Sequence, residues 1–486
     1  MHWIAIILLL LAAPMAKGQS AFAFTLGTLG GDGGVSATAM ISTWELAGAD
    51  TVTLPLRSGY TYDFTVDWGD GSALSTVTAF DDADRIHNYT AGGTKTVTIE
   101  GDFTCLYFST ASAGVKALFR TIEQWGDIQL EQMNGAFYLC LNATSYADFP
   151  YMPVNNLSYG WSGNTSMTTF PVVSNLIDNI TLLKTWEGCS SGTNFSYVNT
   201  QTNVNSLKAT WKQCIVATSF PEVSALTNVN SLDSTWAYAD SATVFPEVNT
   251  LTKVTTLKET WKQCIVATSF PDVDALTNVI TLHQTWLNCG TSTSFPEVNT
   301  QTNVNSLKET WQNCSSATSF PDVDALTKVT TLDSTWLNCG TSTSFPEVNT
   351  QTNVTTLKET WRECDTATSF PEVSALTNVN SLSTTWRECS SATNLPDVSA
   401  LTNVTTYIYA WYKCAGLTTV PVLPSSSTAL ITTTGAFQSI GSGMTGTVVE
   451  LWDTNNFPNV SSYADTFTGA TGLDNYADIP DNWKGL

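Results

Sequence analysis

The chain contains few basic residues. Lys and Arg together number 19, against 42 Asp and Glu, and the formal net charge is −23. Proteins that bind nucleic acids or anionic lipids neutralise phosphate groups with clustered Lys and Arg. The composition therefore disfavours both kinds of partner. An acidic surface instead suits solubility, cation binding or a basic protein partner.

Long hydrophobic runs are absent as well. The apolar run Trp3–Ala13 is too short to span a bilayer. Ala16 and Gly18 are the small residues expected before a cleavage at Gln19, which predicts a signal peptide, although no Lys or Arg precedes the apolar run. The alternative is a buried N-terminal strand or an anchor. No later stretch is apolar enough to cross a membrane, so we expect a secreted or cell-surface protein without direct membrane insertion after cleavage.

Residues that could perform catalysis are scarce. His87 and His283 are the two histidines that remain after removal of the signal peptide. The sequence contains no nucleophile elbow, no Gly-rich phosphate loop and no paired His/Cys arrangement. We therefore predict that the protein is not an enzyme and has no cofactor. A packing or turn role is expected for His87, and a solvated position for His283.

Tryptophan recurs with a fixed period of 25 residues. This Trp column contains Trp161, Trp186, Trp211, Trp236, Trp261, Trp286, Trp311, Trp336, Trp361, Trp386 and Trp411. Cys lies three residues after most of these Trp, as at Cys214 and Cys264, and a Phe-Pro pair recurs at the same period, as at Phe270-Pro271. Such a period is typical of a solenoid, in which stacked units share one core.

A single unit predicts two short elements. Val229, Leu232 and Trp236 are three and four residues apart, which is the spacing of one face of a helix. Residues 242–245 are β-prone, and Pro246 ends that segment. The sequence therefore predicts a repeat solenoid with one short strand and one short helix per unit, whose Trp rings stack in a dry interior.

Most of the eleven cysteines fall in one column of the repeat. Neighbours in that column would lie about 5 Å apart, a distance that permits disulfide bonds. Stacked side chains point inward in parallel, however, so buried free thiols are favoured over a chain of disulfides. No metal site is expected at these cysteines, because no Cys-x-x-Cys pair, His or carboxylate completes a ligand set.

The position three residues before each Trp alternates in charge. This column runs Lys208, Asp233, Lys258, His283, Lys308, Asp333 and Lys358. Opposite charges on adjacent coils should pair along the predicted helical face. Each exposed pair would contribute about 0–1 kcal/mol and would help to fix the register.

The segment 51–103 shows the alternation of β-strands. Strands are expected at residues 52–54, 62–66 and 95–99, and Asp67–Ser72 forms a tight turn that contains glycine. Together with His87-Asn88-Tyr89, this turn closely resembles that of a PKD-type domain. The resemblance implies a small immunoglobulin-like β-sandwich, although this chain has Lys95 where the family usually has Tyr.

The repeat units resemble the BspA-like leucine-rich repeats of bacterial surface proteins. The matching residues are Asn228, Val229, Leu232 and Trp236, together with the recurring Trp-x-x-Cys step. Where that family usually has Met-Phe, this chain has Thr-Trp. The resemblance covers about residues 137–440 and implies surface display, adhesion and protein–protein contact.

These patterns divide the chain into six segments. They are a signal peptide (1–18), a linker (19–43), the PKD-like β-sandwich (44–110), a junction with an N-terminal cap (111–136), the leucine-rich-type solenoid (137–440) and a C-terminal cap (441–486).

A carboxylate follows the repeat proline in eight successive units. We call these residues the acidic row: Glu222, Glu247, Asp272, Glu297, Asp322, Glu347, Glu372 and Asp397. One hypothesis is a ridge that binds Ca²⁺ or a basic ligand, since like charges at such spacing repel unless counterions collect. The favoured alternative is a solvated acidic edge that keeps the repeat protein soluble.

A Thr column lies on the predicted strand. Its candidate binding residues are Thr268, Thr293, Thr318 and Thr343. They could offer hydroxyls to a glycan or a protein, although Thr is also an ordinary exposed β residue. The leading hypothesis is a secreted adhesion or recognition protein that binds protein or glycan ligands on another surface. The rival hypothesis is a structural spacer or assembly subunit of a surface layer or virion appendage, which would self-associate without a specific ligand.

Overall fold

A computed structural model describes residues 36–149, 154–173 and 176–486. The predicted signal peptide and most of the predicted linker lie outside the described residues. Across the described ranges, no helix is long and apolar enough to cross a membrane.

The N-terminal part of the described chain consists of β-strands. The strands are β1 (Met40–Leu46), β2 (Asp50–Thr53), β3 (Tyr62–Asp67), β4 (Ser75–Val77), β5 (Ile86–Tyr89), β6 (Gly93–Phe103) and β7 (Phe119–Gln124). The three predicted strands correspond to β2, β3 and β6. The sequence did not predict β1, which begins inside the expected linker, or β7, which lies in the expected junction.

These strands form two sheets. One sheet has the order β4-β3-β6-β1-β7-β8, where β8 is Ser145–Tyr146, and the other pairs β2 with β5. Burial alternates along β1 and β3, so that Trp44 and Phe64 lie in the core while intervening residues face outward. The alternation explains why these residues form sheets with one dry face.

The predicted turn at Asp67–Ser72 is present. Gly69 and Gly71 both have positive φ, and the backbone N–H groups of Gly69 and Ser72 donate to the carboxylates of Asp67 and Asp70. The Asx contacts and the two left-handed glycines account for the tight turn without a bound cation.

The sheet continues directly into the repeats. β7 pairs in parallel with β8, which belongs to the first repeat coil. Helix α1 (Ala113–Leu118) precedes β7, and Ser112 caps it by accepting a hydrogen bond from the N–H of Val115. Phe119 of β7 stacks on Phe137 at a centroid distance of 5.7 Å, which joins the core of the sheets to that of the solenoid.

The prediction of a helix in each repeat unit is wrong. In the described residues, no α-helix follows α1. Instead, alternate N–H groups donate to carbonyl oxygens of the next coil. These bonds join Leu207 to Ser231, Ala209 to Asp233, Trp211 to Thr235 and Gln213 to Ala237, at 2.8–3.2 Å. An α-helix cannot form here, since it would need all of these N–H groups for bonds within the segment.

The intervening N–H groups close tight turns within each coil. Thr210 donates to Leu207 and Cys214 donates to Trp211, each three residues back. The third residue of each turn, Ala209 or Gln213, has φ near +51° or +62°, as in a type II turn. Inward-facing residues therefore recur every three or four positions. This spacing is that of a helix face, although no helix forms.

The predicted short strand is reduced to single contacts between coils. Thr243 N–H donates to Thr218 O at 3.1 Å, and Thr419 and Thr445 form an isolated parallel bridge. From Trp236 to Trp411, the residue six before each Trp makes a further bond of this kind to the preceding coil, as Thr255 N–H does to Asn230 O. In the first coils, β9 (Val154–Asn156) and β10 (Leu176–Thr181) form a parallel pair. The later described coils are joined by short ladders rather than by continuous strands.

The Trp column stacks as predicted in a dry interior. All eleven side chains are fully buried. Neighbouring indole centroids are 5.7–6.2 Å apart with interplanar angles of 3–11°. A second stack of Phe rings runs beside it, as in the pair Phe295 and Phe320 at 5.9 Å. The repeat region is therefore a solenoid with one continuous aromatic core.

The aromatic column ends in a C-terminal cap. Trp411 stacks on Phe437 at 4.7 Å, and Phe437 stacks on Phe467 at 5.4 Å. Trp483, which is 5% exposed, packs against Phe467 and stacks on Tyr463 at 4.5 Å. These rings cover the last coil, so the core does not end on an open surface.

Candidate binding surface

Each carboxylate of the acidic row is held outward by its neighbours. Around Glu297, Pro296 and Val298 are buried and Phe295 packs partly against the core, while Glu297 itself is exposed. The other seven members are also exposed, and each lies between a buried Val and a buried or half-buried Pro. The stacking of coils therefore places eight carboxylates in one exposed row, as the sequence predicts.

The acidic row lacks basic partners. In the described part of the chain, none of its eight members forms an ion pair with Lys, Arg or His. Asp397 accepts a hydrogen bond of 2.7 Å from the N–H of Ser399. Exposed carboxylates that form no ion pair leave a negative potential that attracts counterions or a basic surface.

Two further carboxylates next to the row were missed at the sequence level. Asp274 and Asp324 are exposed and lie two residues after members of the row. The side-chain amide of Asn249 donates to Asp274, and that of Asn299 donates to Asp324. The recurring Pro-Asp-Val-Asp sequence was the available signal. The central part of the surface is thus more acidic than the row alone.

A Ca²⁺ site in this surface is not supported by its geometry. Among the described residues, no group of three or more His, Cys, Asp or Glu side chains is arranged to hold a metal ion. Ca²⁺ prefers six to eight oxygen ligands, which a single row of separated carboxylates does not gather.

The Thr column is exposed, but several of its hydroxyls are used between coils. Thr268, Thr293, Thr318 and Thr343 are all exposed. Thr318 Oγ1 donates to Thr293 O at 3.3 Å, and Thr393 and Thr418 make equivalent contacts. The column therefore contributes to the joining of coils and is not a uniform display of hydroxyls.

The structure reveals an inner Thr column that the sequence reasoning missed. It consists of the buried residue before nine of the eleven Trp: Thr185, Thr210, Thr235, Thr260, Thr285, Thr310, Thr335, Thr360 and Thr385. Each hydroxyl donates to a Leu carbonyl of the preceding coil, as Thr285 does to Leu257 at 2.9 Å. The Thr-Trp dipeptide was the signal. Its role is internal, so these hydroxyls are not candidates for binding.

All eleven cysteines are free and buried, as predicted. The thiol of Cys314 donates to the Trp286 carbonyl of the preceding coil at 3.1 Å. Burial raises the pKa of Cys289 from 9.0 to about 12. A thiol kept neutral in this way is a poor nucleophile and a poor metal ligand.

The expected pairing of alternate charges is mostly wrong. Lys208 Nζ lies 2.9 Å from Asp233 Oδ2, as predicted. Lys258 and Lys308 instead pair with the Glu residues that follow them, at 3.8 and 3.5 Å. The tight turns bring Glu259 and Glu309, with positive φ, beside the Lys side chains.

Neither histidine lies in an arrangement for catalysis. His87 stacks on Trp68 at 4.9 Å, and its Nε2 is 2.8 Å from Asp70 Oδ2. His87 therefore has the packing and turn role that was expected. His283 is half-buried rather than solvated, and its Nδ1 lies 3.1 Å from Lys308 O.

Comparisons with known proteins add little. No protein-family model and no curated protein matches the chain. A leucine-rich repeat protein from Bacteroides ovatus is similar at 11% identity and a TM-score of 0.36, over 84% of this chain and 99% of that chain. The plant peptide hormone receptor RGFR1, solved in complex with RGF2, has 9% identity and a TM-score of 0.14, over 75% of this chain and 91% of that chain. At such values neither likeness carries an argument, and the solenoid assignment depends on the stacked coils themselves.

Proposed function

We propose that this chain is a non-enzymatic recognition protein, displayed at a surface or secreted, whose solenoid binds a basic protein partner along the acidic row. One observation carries the proposal: eight exposed carboxylates lie along one side of a rigid core without a described ion pair. A rigid row loses little entropy when it binds, and its charge speeds encounter with a basic surface.

The partner's chemistry follows from the charge and spacing of the row. A single exposed ion pair contributes only about 0–1 kcal/mol, so one Lys or Arg would bind weakly. A partner that carries several cations on one surface would bind more tightly, because after the first ion pair forms, each further pair forms within the same complex. Glycans without positive charge suit the acidic row less well, and the neighbouring Thr column would be their place of contact.

The same proposal includes the finer assignments of family and location. The stacked 25-residue coils support a leucine-rich-type repeat of the BspA-like kind, and the two sheets with the turn at Asp67–Ser72 support a PKD-type immunoglobulin-like module. The apolar start of the sequence supports export. The segment boundaries at residues 18, 136 and 440 belong to this proposal, whereas β1 and β7 extend the sheets beyond the expected boundaries at 43 and 110.

The test compares two triple variants with equal changes in charge. One variant replaces Glu297, Asp322 and Glu347 by Ala. The control replaces three exposed carboxylates of the N-terminal part by Ala: Asp81, which follows β4, and Glu100 and Asp102 of β6. The full chain and both variants are applied to an array of proteins and glycans, and binding to a Lys-rich peptide is measured by calorimetry at two salt concentrations.

The proposal expects the row variant to lose at least tenfold in affinity for basic ligands, and the control to bind like the native chain. Weakening of native binding by salt is also expected, since exposed charges are screened. An equal loss of affinity in both variants would mean that the row acts only through its contribution to the net charge. Unchanged binding in the row variant would contradict the proposal.

A second candidate function is that of a structural spacer. The aromatic stacks that continue from Phe119 to Trp483 favour it, because a continuous core stiffens the whole repeat region. Sedimentation and electron microscopy of the full chain distinguish the two functions. Ordered self-assembly without specific binding on the array would favour the spacer.

A further inference from the structure

A cavity of about 350 Å³ lies beside the first turn of α1, far in sequence from the acidic row. Its walls come from β2 and the segment after it, from the segment between β4 and β5, and from the residues at the start of α1. Leu56, Phe80 and Val115 supply apolar surface, and Phe80 is 40% exposed. A volume of this size is within the range of small-molecule sites.

One cation, Arg85, lines this cavity. Its Nη1 donates to the Leu54 carbonyl oxygen at 3.1 Å. Its Nε is buried, and no acceptor for it lies within hydrogen-bond distance among the described residues. Since a guanidinium has five N–H donors in a planar fork, most of its capacity is not used by the described contacts.

The neighbouring carboxylates do not neutralise this cation. Arg85 directly follows the run Asp81 to Asp84, yet it forms no ion pair within the part of the chain that the structure covers. Asp82 is occupied elsewhere, because its carboxylate accepts from the N–H groups of Thr78 and Asp84. No Asp or Glu lines the cavity.

Hydroxyl groups complete the polar part of the wall. Thr53, Thr110 and Ser112 all line the cavity. Ser112 Oγ accepts from the N–H of Val115 as the cap of α1, which leaves its own O–H able to donate. The cavity thus combines a planar cationic donor, hydroxyl donors and apolar walls.

We propose that this cavity binds a small organic acid, with its carboxylate on Arg85 and its aliphatic or aromatic body against Leu56, Phe80 and Val115. A carboxylate matches the guanidinium fork with two parallel hydrogen bonds. A phosphate fits less well, because a dianion against one cation and apolar walls would keep unpaired charge. The proposal does not depend on the function assigned to the acidic row.

The test uses hexanoate and benzoate as probes, with hexanol and benzyl alcohol as uncharged analogues of similar shape and inorganic phosphate as a second anion. Methyl groups of Leu56 and Val115 in the full chain report binding by NMR. The variants are Arg85→Gln and Arg85→Lys, and the control is Arg362→Gln at a half-buried ion pair of the solenoid. Thermal unfolding of each variant shows whether the loss of the contact with Leu54 alters folding.

The proposal expects saturable shifts of both methyl groups with the acids and binding at least about tenfold weaker in Arg85→Gln. Arg85→Lys should bind with intermediate affinity, since it keeps the charge but not the planar fork. Arg362→Gln should bind like the native chain. The proposal is overturned if neither acid binds, if the alcohols bind as tightly as the acids, if phosphate binds more tightly, or if a folded Arg85→Gln binds the acids unchanged.

Discussion

The thiol of Cys289 lies 3.1 Å from the carbonyl oxygen of Trp261, the Trp of the preceding coil. The same contact recurs along the solenoid, for example from Cys414 to Trp386 at 2.9 Å. Each Cys therefore fills space in the core and also gives a Trp carbonyl a second donor.

We predict that these thiols make the protein sensitive to alkali. Burial raises the pKa of Cys289 and of Cys414 from 9.0 to about 12, so the folded state holds these protons more tightly than the unfolded state. Their contribution is complete below the unfolded pKa of about 9 and is lost as pH rises from there toward about 12. The measurement is the urea midpoint as a function of pH.

The matched variant for this prediction is Cys289→Ala, because the chain already carries Ala239 at the equivalent position. The variant should be less stable at neutral pH and should lose less stability than the native chain between about pH 9 and 11. Parallel losses in the two proteins would mean that Tyr and Lys titrations cause the effect instead.

Removal of one indole should cost much more than its replacement by a smaller ring. Trp286→Ala is expected to destabilise the solenoid by about 3–5 kcal/mol, because it opens a cavity between two stacked indoles. Trp286→Phe should cost about 1–2 kcal/mol, since the same column already accommodates Phe137 and Phe437. The Nε1–H of Trp286 has no hydrogen-bond acceptor among the described residues, so Phe leaves no acceptor unpaired. Chemical denaturation measures both values, and equal losses would contradict the packing argument.

Backbone conformation predicts a stabilising substitution. Gln213 has φ near +62°, which is unfavourable for a residue with a Cβ, and Gly188 fills the equivalent position one coil earlier. Gln213→Gly should therefore stabilise the protein by up to about 1 kcal/mol. The control is Lys212→Gly next to it, whose φ is not positive and which should destabilise by about 0.5–1 kcal/mol. Thermal unfolding compares the pair, and destabilisation by both would show that chain entropy outweighs the strain.

We predict that protonation of His283 lowers the stability of the protein in mild acid. Desolvation lowers its pKa below 6.5, so the folded state binds this proton less readily than the unfolded state. Its contribution is complete above about pH 6.5 and is lost as pH falls below that value toward the lower folded pKa. The variant His283→Ser should remove this part of the pH dependence, and the chain already carries Ser383 at the equivalent position two 50-residue blocks later. The two proteins should differ in their change of melting temperature between about pH 7.5 and 5, and identical changes would exclude His283 as the cause.

The sequence by itself determined the period, the stacking of Trp161 to Trp411, the inward position of the cysteines and the outward position of the acidic row. These features depend on which residues are apolar at each position of the 25-residue repeat, and that pattern can be read directly from the sequence. Three of the strands and the turn at Asp67–Ser72 could also be predicted from the sequence, because alternation and glycine placement are local properties.

The tertiary structure alone decided how the backbone of each coil satisfies its hydrogen bonds. Val229, Leu232 and Trp236 have helical spacing, yet their segment forms successive turns, with Ser234 and Tyr238 at positive φ. The same inward spacing arises from either conformation. Turns form instead of a helix because carbonyl oxygens 24 residues away on the next coil accept hydrogen bonds from alternate N–H groups, as Thr256 O does from Leu232. The cavity beside Arg85 was likewise hidden, since β2, the segment between β4 and β5, and α1 meet there only after folding. Local sequence fixes which side chains avoid water, whereas bonds and cavities between distant segments exist only in the folded chain.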